Sequence, residues 1–155
     1  MHLRVIAVGT RMPAWVDAAV ETYARRLHGP WKIELKELAP ASRRQPLGGA
    51  ARADEARRIL ALLGARETVV PLDERGQAFS TLELARWLED RRQDGRDLTF
   101  IIGGADGLDP AVLARGHKTW SLSRLTLPHA LARVLLVEQL YRAGTVLAGH
   151  PYHRA

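Results

Sequence analysis

Five residues near the end of this chain, His150, Pro151, Tyr152, His153 and Arg154, bring together two imidazoles, a phenol and a guanidinium. A neutral imidazole can accept a proton near neutral pH. A phenol ring can stack on a nucleobase, and a guanidinium can hold a phosphate or a developing negative charge. Tyr152, His153 and Arg154 are therefore candidate catalytic residues, as stacking ring, proton acceptor and anion holder. The competing reading is a frayed polar end, which is how most chain termini behave. Zinc is disfavoured: His150 and His153 stand three apart in a tail without a carboxylate.

A second group of candidates lies where apolar runs stop. The segments 72–73, 102–108 (IGGADGL) and 120–127 (WSLSRLTL) each follow a strand-like stretch. In open α/β sheets, ligands bind beyond the carboxyl ends of the strands. Paired glycines such as Gly103 and Gly104 let a ligand approach the backbone closely, as a purine read by backbone groups in an apolar slot requires. The alternative is that the pair serves only a tight turn, with Asp109-Pro110 as helix punctuation. Other signatures are missing. GGADG lacks the G-x-G-x-x-G spacing of a dinucleotide fold, 116–119 (GHKT) lacks the Gly-Lys pair of a phosphate loop, and no serine sits in a nucleophile elbow.

The elements that must position these residues alternate along the chain. Strands are expected at 3–8, 31–38, 67–72, 98–102 and 118–122. Helices are expected at 12–27, 50–63, 80–93, from Asp109-Pro110 onward, and from Pro128 (taken as the first helical residue) to 146. Ser80 and Glu83 form a capping box. Residues 39–49 and 73–78 (DERGQA) read as a loop and a turn. Alternating strands and helices argue for a mostly parallel sheet with helices on both faces, in one domain spanning 1–155. The last helix carries Leu131, Val134, Leu135, Leu136, Val137, Leu140, Tyr141, Val146 and Leu147 around more than half its circumference. A helix that apolar needs cover on two sides, and a second subunit is a ready source.

Composition narrows the partners. The net charge is +6, and 20 of the 23 basic residues are arginine. Arginine's planar fork matches phosphate, so a polyanion such as RNA is a natural partner; a codon-biased genome is the plainer explanation. Without cysteine there are no disulfides or thiolate metal sites. The N-terminal apolar run of about six residues is too short for a leader, and no stretch approaches the roughly 20 apolar residues of a membrane span. A soluble, cytoplasmic protein is expected.

The blocks LRVIAVGTRMPAWV, FIIGGADGL, WSLSRLTLPHALARVLLVEQLYRA and HPYHR, in this order and spacing, resemble the bacterial ribosomal RNA pseudouridine-N3 methyltransferases of the SPOUT superfamily. The resemblance runs from end to end. It implies an α/β fold with a deep C-terminal trefoil knot and a homodimer joined through the last helix. It implies S-adenosylmethionine held in the knot by Leu72, Gly103, Gly104 and the run Leu122, Ser123, Arg124, Leu125, Thr126, Leu127 and Pro128. The substrate it implies is a pseudouridine of 23S ribosomal RNA in the assembled bacterial ribosome, and no metal is needed. On this reading His153 takes the proton from N3, Arg154 stabilises negative charge, and Glu138 and Arg142 orient the tail, unless they form only an ordinary helical ion pair. Ala105 and Ala130 stand where proline is common in the family, and Gly144 and Gly149 where bulkier residues are usual. The rival classes are a non-catalytic RNA-binding module and a nucleotide-dependent oxidoreductase.

Overall fold

The computed structural model describes residues 1–42 and 49–154, with the backbone alone at His153. Most of the expected loop at 39–49 lies outside these residues. Five parallel strands form one sheet in the order β2-β1-β4-β3-β5, with β1 at Leu3–Val8, β2 at Ile33–Leu38, β3 at Thr68–Ala78, β4 at Leu98–Ile102 and β5 at Trp120–Ser121. β4 lies between β1 and β3 and is buried at all five residues, which is why it reads as an unbroken apolar run.

The period of two in the strands sends side chains to two separate cores. Val5, Ala7, Phe100 and Ile102 face Leu84 and Leu88 of α3 (Thr81–Asp94) and Leu136, Leu140 and Ala143 of α5 (His129–Leu147). Ile6, Val8, Val69 and Ile101 face Ala56 and Ile59 of α2 (Gly49–Ala61) and Val112 of α4 (Pro110–Arg115). α1 (Ala14–Ala24) joins the first layer, where Val16 and Val20 meet Val137 of α5. The helix starts follow local chemistry. Both halves of the Ser80–Glu83 capping box form, and the Asp109 carboxylate accepts from Ala111 N at 2.9 Å.

The structure corrects two readings. Residues 73–78 are not a closing turn but the continuation of β3. Pairing with β4 ends at Pro71, beyond which Leu72, Gln77 and Ala78 pair with β5 across an irregularity in register. The segment reads as a turn because it runs past the end of β4 at the wet edge of the sheet. Gly76 is required there, since a Cβ would lie 2.7 Å from the Thr119 carbonyl oxygen. Pro128 caps α5 rather than opening it: its ψ of 143° is extended, and the helix begins at His129. α5 lies between α1 and α3 over the sheet, and no residue from 130 to 146 is exposed. Of its apolar residues, Leu136, Val137 and Leu140 are buried within one chain, whereas Leu131, Val134, Leu135, Tyr141 and Val146 are half-buried and Leu147 is exposed.

Candidate functional site

At the carboxyl ends of β3, β4 and β5 the sheet opens into a cavity of about 720 Å³. Leu72 enters from β3, Gly103 and Gly104 from the turn after β4, and Leu122, Ser123, Leu125, Thr126, Leu127 and Pro128 from the passage between β5 and α5. Arg124 belongs to the same passage but is exposed and does not line the cavity. The turn after β4 closes on itself, Gly107 N donating to Gly104 O at 3.0 Å. A Cβ on Gly103 would lie 2.8 Å from the Gly107 carbonyl carbon, and one on Gly104 would lie 3.1 Å from Val8 Cγ1. The turn therefore requires glycine at 103, and the same turn is the cavity wall; the two readings of the pair describe one structure.

The rim joins Asp73, from the candidate segment 72–73, to residues that strand and helix patterning passed over. Asp73 accepts from Arg75 Nε and Nη2, both at 3.0 Å, and from Arg75 N at 2.8 Å. The Arg75 guanidinium holds the Asp73 carboxyl below the usual carboxylate range. Glu74 accepts from Thr126 Oγ1 at 2.7 Å across the mouth. Arg52 of α2 and His129 and Ala132 of the first turn of α5 complete the lining, together with Asp106. Nothing local in the sequence marks Arg52 or His129; only the fold brings α2 and the start of α5 to this edge.

The tail residues sit elsewhere. After α5 the chain makes a 3-10 turn at Pro151–His153, capped by His150, whose Nδ1 accepts from Tyr152 N at 3.2 Å. The Tyr152 ring lies 4.6 Å from that of Tyr141 between centroids, with the Arg142 guanidinium 4.9 Å from its own centre. Its hydroxyl donates to Glu138 Oε1 at 3.3 Å, and the same oxygen accepts from Arg142 Nε at 3.0 Å. Burial, reinforced by Tyr23 and the Glu138 carboxylate, pushes the Tyr152 phenol up to about 12. Arg154 is exposed and has no ion-pair partner among the described residues; the side chain of His153 lies outside them. Tyr141, under the tail, is nine residues beyond Ala132 of the cavity, about 14 Å along the helix. Within one chain no described tail residue lines the cavity.

One unforeseen residue braces the cavity end of α5. Arg133 is 1% exposed, ion-paired with Glu37 at the end of β2 and donating to Gly9 O at 3.0 Å. It ties α5 to the carboxyl ends of β1 and β2. A matching network, Arg4 with Glu67 and Thr99, braces the opposite edge of the sheet. Many other arginines are spent internally, in pairs such as Arg57 and Arg58 with Asp54 and Arg92 with Glu89. His117, within the apparent phosphate-loop fragment, is structural: its N donates to Val69 O at 2.8 Å, and its Nδ1 accepts from Val69 N at 3.1 Å. Among the described residues no metal-binding cluster forms, and no helix is long and apolar enough to cross a membrane.

A family model described as predicted SPOUT methyltransferase matches residues 1–153. The Ribosomal RNA large subunit methyltransferase H of Chromohalobacter salexigens is 52% identical over 156 residues, covering 99% of this chain and 100% of that protein. The protein of the same name from Thiobacillus denitrificans is also 52% identical, over 99% of both chains. Among solved structures, a probable methyltransferase from Bordetella pertussis Tohama I aligns with a TM-score of 0.56 at 19% identity, covering 92% of this chain and 93% of its own. A probable methylase family protein from Haemophilus influenzae aligns equally well at 14% identity, over 99% of this chain and 70% of its own. The two structures bear on the fold alone, and the strand order and the return from β5 to α5 fit the trefoil-knotted class. By its matched length and its relatives, the chain belongs to the SPOUT methyltransferases.

Proposed function

We propose that this protein methylates N3 of a pseudouridine in 23S ribosomal RNA, using S-adenosylmethionine and acting on the bacterial ribosome in the cytoplasm as a homodimer. The cavity beyond β3, β4 and β5 carries this reading, and the relatives named Ribosomal RNA large subunit methyltransferase H support its substrate. S-adenosylmethionine supplies, when bound, a methyl group on a sulfonium for in-line transfer to a nitrogen lone pair. The cavity suits such a ligand. Its volume is that of a small-molecule site, Leu72, Ile102, Leu122 and Leu127 give an apolar slot, and the Gly103–Gly104 turn offers bare backbone. Leu72, Gly103, Gly104 and the passage 122–128 hold the ligand on this reading, with Arg124 outside the contact.

The tail deals with the substrate. Pseudouridine N3 is a weakly acidic imide and must lose its proton as it attacks. Tyr152 cannot accept it, because its phenol is protonated at neutral pH and engaged with Glu138; the acceptor assigned is His153, with Arg154 facing phosphate or developing anion. Tyr152 acts first as the anchor of the tail, its ring already packed on Tyr141. Since no described tail residue lines the cavity of its own protomer, a second copy is a means of bringing a tail to a cavity, and this supports the homodimer together with the half-buried apolar residues of α5. The test is to incubate the protein and cofactor with ribosomes lacking the modification and analyse the nucleosides of the 23S RNA by mass spectrometry. N3-methylpseudouridine should appear; ribosomes left unmodified by a protein that binds the cofactor would refute the substrate assignment.

A further inference from the structure

We propose that the Glu74–Thr126 hydrogen bond is a latch across the mouth of the cavity, which makes Glu74 a positioning residue for the ligand held there. The proposal rests on reading the cavity as the S-adenosylmethionine site. Both residues line the cavity, yet they belong to different elements: Glu74 to the irregular part of β3, Thr126 to the passage between β5 and α5. Thr126 Oγ1 donates to Glu74 Oε2 at 2.7 Å, joining segments 52 residues apart. Both are exposed, so the bond fills no core. The remaining side-chain bonds of the passage are local: Ser121 Oγ donates to Ser123 O at 2.8 Å, and Leu125 N to Ser123 Oγ at 2.9 Å. Apart from the helical bond of Ala132 N to Pro128 O, no other hydrogen bond among the described residues ties 122–128 to another element.

The passage is thus a small turn held across the mouth by one bond, with Leu125 at its tip 75% exposed. Glu74 is itself steadied. The flanking Asp73 and Arg75 are locked to each other, so the strand irregularity presents Glu74 toward Thr126 in a fixed direction. A hydrogen bond to a carboxylate is among the stronger ones, though exposure to water reduces its net worth. Its function here is kinetic: a ligand beneath the passage leaves when the bond opens.

The experiment uses S-adenosylhomocysteine as probe and the full chain, with release followed by stopped flow and affinity by calorimetry. Glu74→Ala and Thr126→Val should each release the probe about tenfold faster, the order expected for one charge-assisted hydrogen bond. The double variant should be no faster than either single one; Thr126→Ser, which keeps the donor, should stay near the parent rate, and Glu74→Gln, which keeps an acceptor but loses the charge, should fall between the parent and Glu74→Ala. Melting temperatures should barely move, since both positions are exposed. Release unchanged in both single variants, or a double variant whose effect is the product of the two, overturns the latch while leaving the cavity assignment standing. Failure of the parent protein to bind the probe overturns the cavity assignment, and the latch with it.

Discussion

The two ends of α5 are built from different physics. At its start the helix meets the cavity with the His129 imidazole and the small Ala132, next to Pro128, braced from below by the buried Arg133–Glu37 pair. At its finish it meets the tail with Glu138, Tyr141 and Arg142, a polar and aromatic clasp around Tyr152. The first end is shaped by what is absent, side chains that would fill the cradle; the second by what is present, side chains that grip. A ligand read through backbone and apolar walls needs space and rigidity, whereas a terminal segment needs explicit anchors against the entropy of fraying.

The comparison breaks most sharply if the tail is removed. Deleting 152–155 should lower methyl transfer to ribosomes by at least about 10²-fold, as loss of general-base and electrostatic help requires. S-adenosylhomocysteine affinity by calorimetry should stay unchanged, because no described tail residue lines the cavity. Parallel loss of both would mean that the two ends are one site in the single chain. Arg133→Met comes next. It leaves Glu37 without its buried partner and should cost about 3 kcal/mol, the low end for breaking a buried pair because Glu37 reaches water. Urea unfolding measures it, and a loss below about 0.5 kcal/mol would show that the brace is ornamental.

Gly103→Ala addresses the cavity end alone. The turn must shift to admit a Cβ now 2.8 Å from the Gly107 carbonyl carbon, so probe affinity should fall about tenfold, with the tail unaffected. The smallest effect sharpens the other end. The folded Tyr152 phenol is raised from 10.0 to about 12, so what it contributes to anchoring is complete below pH 10 and is lost as pH rises through about 12. A phenolate absorbance titration, differenced against Tyr152→Phe, should show one tyrosine titrating near 12. A midpoint near 10 would place the ring in water and the tail off the helix.

Much of this was visible in the residues. The β-branched apolar run of β1, the unbroken run of β4 and the Ser80–Glu83 box each specify a local geometry that packing only confirms. Gly103-Gly104 marked the cavity because a missing side chain is itself a signal. Residues 73–78 misled because polar, glycine-containing sequence is common to turns and to strand edges; which one forms depends on whether β5 is there to pair. Arg133 was indistinguishable from any helical arginine, since burial of a guanidinium depends on a carboxylate 96 residues away.

Composition and local pattern were enough for a parallel α/β fold, for the candidate loops beyond the strands, and for the chemistry a tail of histidine, tyrosine and arginine can perform. These follow from short-range sterics and from functional groups each residue carries wherever it stands. Packing alone settled that α5 is covered by α1 and α3, that Tyr152 points back to Glu138, and that Thr126 meets Glu74 over the cavity. Such contacts join residues distant in the chain, and their energies depend on separations of a few ångströms that no local pattern encodes.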